Sequence, residues 1–209
     1  MIELLHIDCM TYMAGLPDKA FELAIVDPPY GIKRLKNPNG RMQRLGDTRK
    51  ANNNTPTKEY FNELFRVTKN QIIWGYNHFS SIMPNCTEFI FWDKDTSVDN
   101  YSDGELAWTS FDGNAKSVKI VWDGFRQYDM KIKETRIHTT QKPVALYKWL
   151  LHNYAKPGDR ILDTHGGSRS LAIACHDYGF DHVSCELDAD YHRDSVKRFN
   201  NHIMQGRLL

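Results

Sequence analysis

The sequence predicts an α/β protein, a mostly parallel sheet with helices on both faces, and three observations carry that prediction. Apolar runs of strand length alternate with helix-periodic segments at both ends of the chain. The run Phe21 to Val26 stops abruptly at Asp27-Pro28-Pro29-Tyr30. A later run, Arg160 to Leu162, leads through Asp163-Thr164-His165-Gly166-Gly167-Ser168 into a helix. Open α/β sheets hold ligands beyond the carboxyl ends of their strands, where both polar segments stand.

Ile2 to Ile7 reads as the first strand. Met10, Tyr12, Met13 and Leu16 then give a short helical face, which Leu16-Pro17-Asp18 stops. Residues 31–56 are rich in Gly, Asn, Pro, Lys and Arg and read as a long loop. Thr55-Pro56 predicts an N-cap and a first-turn proline for a helix whose buried face is Phe61, Leu64 and Phe65. Gln71 to Trp74 and Glu88 to Trp92 read as buried strands. Residues 93–137 are the least regular, with one strand expected at Lys116 to Trp122. Pro143 opens a helix with Leu146, Trp149, Leu150 and Tyr154 on one face, ended by Pro157-Gly158. After the Arg160 strand, a helix runs through Leu171, Ala172, Ile173 and Cys175 to Gly179. His182 to Cys185 is a strand ending in Glu186, and Asp188 caps a last helix carrying Tyr191, Val196, Phe199 and Ile203.

With 209 residues the chain is expected to be a single domain, and 41% hydrophobic with 25% charged residues is the balance of a soluble globular protein. No basic start with a long apolar run suggests a signal peptide, and no apolar stretch approaches a membrane span, so a cytoplasmic location is expected. Cys9, Cys86, Cys175 and Cys185 form no C-x-x-C pair and the histidines no H-E-x-x-H, so no metal and no disulfides are expected. A net charge of +1 excludes a uniformly basic nucleic-acid binder. The charge is uneven, however: from 33 to 58 the chain carries Lys33, Arg34, Lys36, Arg41, Arg44, Arg49, Lys50 and Lys58 against one acid, Asp47.

The Asp27 segment suits chemistry at an exocyclic amine. The lone pair of such an amine is delocalised into its ring and is a poor nucleophile. Two acceptors aimed at its N–H groups, the Asp27 carboxylate and the Pro28 carbonyl, would localise that lone pair, and a following proline keeps the backbone rigid. Fixed acceptors also stabilise the positive charge that develops as a group is transferred. Tyr30 offers an aromatic face for an extruded base. In the second segment, glycines let the backbone approach a ligand at a helix N-terminus. Glu186, about twenty residues on, suits ribose hydroxyls. The pattern is not G-x-G-x-x-G, so a nucleoside cofactor is expected rather than a dinucleotide.

Together these segments resemble the DNA amino-methyltransferases with a D-P-P-Y motif. Their order resembles the circularly permuted, beta-type branch, in which the catalytic motif precedes the cofactor motif. Thr139-Thr140-Gln141-Lys142-Pro143 is similar to the segment leading into the helix before the cofactor strand. Ile7-Asp8-Cys9 is similar to the N-terminal Gly-Asp-Cys, with Ile7 in place of the glycine. Glu186-Leu187-Asp188-Ala189-Asp190-Tyr191 is similar to the acidic segment after the next strand. The cofactor loop resembles the D-T-H-x-G-S of phage-type members. The commoner D-P-F-x-G-S-G is departed from at His165 and Arg169, and His165 either replaces an aromatic contact or fills space. The likeness covers residues 1–92 and 138–203.

The resemblance implies a Rossmann-like, circularly permuted S-adenosylmethionine-dependent methyltransferase sheet with a small target-recognition insertion at 93–137. It implies methyl transfer to N6 of adenine in double-stranded DNA after base flipping, by a monomer or homodimer, phage-encoded or from a restriction-modification system. Asp27, Pro28, Pro29 and Tyr30 would be catalytic. Asp8, Cys9, Lys142, Asp163, His165, Gly166, Gly167, Ser168, Glu186 and Leu187 would bind the cofactor. Lys33, Arg34, Lys36, Arg41 and Arg44 in a basic active-site loop at 33–58, with Lys116, Lys119 and Arg126, would hold DNA. Cytosine N4, where serine commonly opens the motif, RNA, where asparagine does, and a catalytically silent DNA-binding relic are the rival readings.

Overall fold

The computed structural model describes residues 1–31, 54–96, 102–122, 126–131, 133–138 and 140–206. They form a sheet of strands β1 (Ile2–His6), β2 (Phe21–Val26), β3 (Thr68–Trp74), β4 (Phe89–Asp93), β5 (Gly104–Thr109), β6 (Lys116–Lys119), β7 (Arg160–Asp163) and β8 (Asp181–Glu186). The order across the sheet is β1-β8-β7-β2-β3-β5-β4-β6, and only β5 runs antiparallel to its neighbours. The helices are α1 (Cys9–Ala14), α2 (Lys58–Val67), α3 (Tyr76–Phe79), α4 (Val144–Tyr154), α5 (Ser170–Tyr178) and α6 (Ala189–Gly206).

The period of two along β2 explains the layers. Leu23 and Ile25 pack with Leu146 and Leu150 of α4 and Leu171 and Ala174 of α5. Ala24 and Val26 face the other way, toward Met13 of α1 and Tyr60, Phe61 and Leu64 of α2. Both faces are covered, which is why the central strands read as continuous apolar runs.

The structure differs from expectation at several ends. Helix α2 starts at Lys58 with Thr57 as its extended N-cap, not at Thr55. Proline disfavours the helical region for the residue before it, so Thr55 and Pro56 belong to the lead-in. Strand β3 begins three residues early because its polar start, Thr68 to Asn70, pairs alongside β2. Strand β6 stops at Lys119, since only residues 116–119 have β4 partners, while Trp122 makes an isolated bridge to Gln127. Strand β5 and the short α3 carry no turn or periodicity signal and were not expected.

The strand order places β7 beside β2, with Leu23 level with Ile161 and Ala24 with Leu162. The Asp27 and Asp163 segments, distant in the chain, therefore leave the sheet side by side.

Candidate active site

Beyond those strand ends lies a cleft of about 1160 Å³. That exceeds the roughly 300–1,000 Å³ typical of a small-molecule site, so two ligands fit together. Its wall brings together Asp8, Cys9, Asp27, Pro28, Pro29, Tyr30, Lys142, His165, Gly166, Gly167, Ser168, Glu186 and Leu187. Asp163 is buried and does not line it.

At one end is a closed polar network. Lys142 Nζ lies 2.6 Å from Asp27 Oδ1 and 2.9 Å from Glu105 Oε2, and 3.0 Å from the Tyr30 hydroxyl. The Tyr30 hydroxyl lies 2.5 Å from Asp27 Oδ1 and 3.0 Å from Glu105 Oε2. Lys94 Nζ completes the set, 2.6 Å from Glu105 Oε1. Lys142 is 3% exposed, so its ammonium depends on these carboxylates.

Burial pushes the Asp27 carboxyl up, against the pull of Lys142 and with added repulsion from Glu105. Burial acts the same way on Glu105, but Lys142 and Lys94 overcome it and hold that carboxyl down at about 2. Burial would lower the Lys142 ammonium; Asp27 and Glu105 outweigh it and keep the group charged. Expected among the cofactor contacts, Lys142 instead sits on Asp27, although it still reaches the cleft wall.

Tyr30 is more committed than a free stacking platform. His78 stacks on it at 5.1 Å with planes 14° apart, and Phe79 meets it edge-on. Gly75, at φ +83°, makes room: a Cβ there would stand 2.3 Å from Tyr30 Cε1.

The other end is the glycine loop. Glu186 Oε2 accepts the Gly167 N–H at 2.8 Å, and Oε1 accepts the Asp188 N–H at 2.9 Å. Each oxygen keeps a lone pair for a ligand. Asp8 caps α1, accepting the Thr11 N–H at 2.9 Å, which fixes its carboxylate at the wall. Burial drives the His165 imidazole down to about 4, so it is neutral. It meets Tyr60 edge-on, and the Tyr60 hydroxyl lies 2.6 Å from Thr164 Oγ1. Burial raises the Asp163 carboxyl to about 7, against one hydrogen bond from the His165 N–H. Burial likewise pushes the Cys9 thiol up to about 12, leaving it un-ionised.

Arg169 lies wholly beneath this loop. It binds Ser184 Oγ, the Leu5 carbonyl at 3.2 Å and His192 Nδ1 at 3.2 Å. A Cβ on Gly166 would stand 2.1 Å from Arg169 Nη1, so that glycine is demanded by the arginine under it.

The basic residues separate. Lys33, Arg34, Lys36, Arg41 and Arg44 lie outside the described residues. Lys119 and Arg126 both converge on Asp95, at its carboxylate (2.9 Å) and its carbonyl (2.9 Å). Lys119 is level with Asp93 at the cleft end of the sheet, whereas Lys116 pairs with Ile90, three residues back from that end. Among the described residues one group, His176, Asp177 and His202, has metal-ligand geometry. It lies on α5 and α6, away from the cleft lining, and Lys148 already holds the second Asp177 oxygen at 2.6 Å. Sequence reading missed Glu105, Lys94, Tyr60 and Arg198, which stand in no motif.

Comparison with known proteins agrees with this geometry. The chain is 27% identical over 210 residues to the putative methylase YubD of Escherichia coli, covering 91% of this chain and 87% of that one. It is 21% identical over 245 residues to the DNA adenine methyltransferase YhdJ of Escherichia coli, covering 94% and 82%. The fold matches M1.HpyAVI, solved as a SAM complex, with a TM-score of 0.61 at 19% identity over 95% of this chain and all of that one. It matches the cytosine-N4-specific PvuII DNA methyltransferase with a TM-score of 0.60 at 13% identity, over 95% and 88%. The DNA methylase family pattern matches residues 33–197, most of the chain, and the chain belongs to that family.

Proposed function

We propose that this protein transfers a methyl group from S-adenosylmethionine to N6 of adenine in DNA, after the base is flipped out. One observation carries the reading: the Asp27-Pro28-Pro29-Tyr30 segment and the glycine loop with Glu186 open into a single cleft large enough for cofactor and base.

The residues present fit such a cofactor. It carries a sulfonium and an ammonium, and the loop end offers Asp8 and Glu186 at the wall, Asp163 buried behind it, a neutral imidazole, His165, and no ionised cysteine. Bound there, it supplies an electrophilic methyl on sulfur. Glu186 accepts the ribose hydroxyls. Gly166, Gly167 and Ser168 bring backbone close to the ligand at the start of α5, and Cys9 and Leu187 form the apolar wall. Asp27 and the Pro28 carbonyl accept the amine N–H groups, sharpen its lone pair and face the charge that develops. Tyr30 holds one edge of the base, with His78 behind it.

Aspartate at the first motif position and the likeness to YhdJ support adenine. The chain order, Asp27 before Asp163 on adjacent strands, supports the permuted arrangement. The basic residues of 33–58 would hold phosphates, and 93–137, with Lys116, Lys119 and Arg126, would read the target.

The test is transfer from labelled S-adenosylmethionine to unmethylated DNA, with product nucleosides separated. Label in N6-methyladenine is expected. Label in N4-methylcytosine would keep the chemistry and overturn the base. No label in any DNA would overturn the reading.

A further inference from the structure

Lys142 donates to Asp27, Glu105 and Tyr30 at once, which uses all three of its N–H bonds. Asp27 Oδ1 receives both Lys142 and the Tyr30 hydroxyl. No described residue bonds Asp27 Oδ2, so that oxygen is left to a ligand. The Tyr30 hydroxyl has one proton but two carboxylates within reach, and the shorter contact, to Asp27, takes it. Glu105 therefore presents Oε2 to Lys142 as a competing acceptor, while Lys94 fixes its other oxygen.

We propose that Glu105 is a positioning residue for methyl transfer: its carboxylate takes up the Lys142 charge, so that Asp27 stays an electron-rich acceptor with one oxygen free for the target amine. The inference rests on the reading above and extends it to a residue on β5, outside every recognised motif. Two carboxylates balance two ammonium groups in this pocket. Remove Glu105, and Lys142 has Asp27 as its only carboxylate. The amine then faces a weakened acceptor. The charged or titratable groups facing Asp27 are Lys142, Glu105 on β5, Tyr30, Asp163 at the end of β7 and Tyr147 on α4, with Lys94 acting through Glu105 and His78 through the Tyr30 ring. Glu105 is the one that opposes Lys142 within hydrogen-bond distance.

The test compares the full chain with Glu105→Gln and Lys94→Met. The Asp27 carboxyl carbon is titrated by NMR without DNA, and single-turnover methylation is measured across pH with cofactor saturating. For Glu105→Gln the Asp27 titration should move down by about one pH unit, as loss of a like charge requires. The plateau rate should fall about tenfold, the equivalent of one such unit, while cofactor affinity stays within about twofold. Lys94→Met removes a cation and should move the titration up; it also decides the matter if Glu105→Gln fails to fold. An Asp27 titration that stays put or moves the wrong way in these variants would overturn the proposal. So would an unchanged plateau rate in a folded Glu105→Gln protein. If the wild type methylates no DNA, the functional reading falls, and the NMR titration still decides whether Glu105 draws Lys142 from Asp27.

Discussion

Arg198 Nη2 lies 2.7 Å from Glu134 Oε2, while its Nη1 donates to the Ser168 carbonyl at 2.6 Å. One guanidinium on α6 thus ties the irregular 93–137 region to the glycine loop. Glu134 in turn accepts the Val144 N–H at the start of α4, at 2.8 Å. The pair is largely buried, with side chains 11% and 22% exposed. Arg198→Met should cost about 2 kcal/mol of stability, below the roughly 3–5 of fully buried pairs. It should also weaken cofactor binding as Ser168 loosens. Urea denaturation and binding isotherms check both. Adding Glu134→Gln should cost less than the sum of the single changes, and strict additivity would mean that the two residues do not act together.

Asp27→Ala should lower the methylation rate about 10²- to 10³-fold, the range for loss of one fixed polar group at a centre of developing charge. Cofactor affinity should change little, because Asp27 lies at the end of the cleft away from the glycine loop. Single-turnover kinetics and calorimetry separate the two quantities. A loss of cofactor binding as large as the loss of rate would remove Asp27 from the transfer step.

Much of this was legible in the chain. The central strands are apolar along most of their length because both faces are covered, and β2, β7 and β8 end in polar segments that open into the cleft. Local chemistry announced Asp27, Glu186 and the glycines. Glu105 and Arg198 were not legible. Their importance comes from pairing across the sheet or between helices, and neither has a turn, cap or repeat beside it. Lys142 was seen but set among the cofactor contacts, because a helix start says nothing about which carboxylate its lysine meets. Strand β5 was missed because the one antiparallel strand has a half-buried, mixed composition, Gly104-Glu105-Leu106, at the end that meets the site.

Asp163 should give cofactor binding a pH dependence. Burial sets its folded pKa at about 7, above the ordinary 3.8. The fold therefore favours the protonated acid, and a cationic ligand in the neighbouring cleft favours the carboxylate. Cofactor affinity should rise with pH up to about 7 and then level, with proton release on the acid side. Calorimetry in buffers of different ionisation enthalpy counts those protons. Asp163→Asn should flatten the curve; an unaltered slope would assign the dependence to another group.

His182 should govern acid stability. It is buried in β8, neither ring nitrogen makes a full hydrogen bond, and burial lowers its pKa to about 3. The His165 imidazole is lowered to about 4 for the same reason. Between about pH 4 and 6.5 the unfolded chain protonates both imidazoles and the folded chain neither, so stability falls as pH falls. Asp163 works the other way, since between its ordinary 3.8 and about 7 it is the folded chain that holds the extra proton. Each imidazole that the fold holds neutral contributes about 1.4 kcal/mol of stability lost per pH unit of acidification in this range. His182→Leu keeps a similar volume and removes one of the two imidazoles. Relative to the wild type, the stability profile between about pH 4 and 6.5 should lose the His182 contribution, about 1.4 kcal/mol per pH unit. Denaturant unfolding at half-unit pH steps measures it. If the variant and the wild type run parallel as the solution is acidified, His182 is not held neutral by the fold.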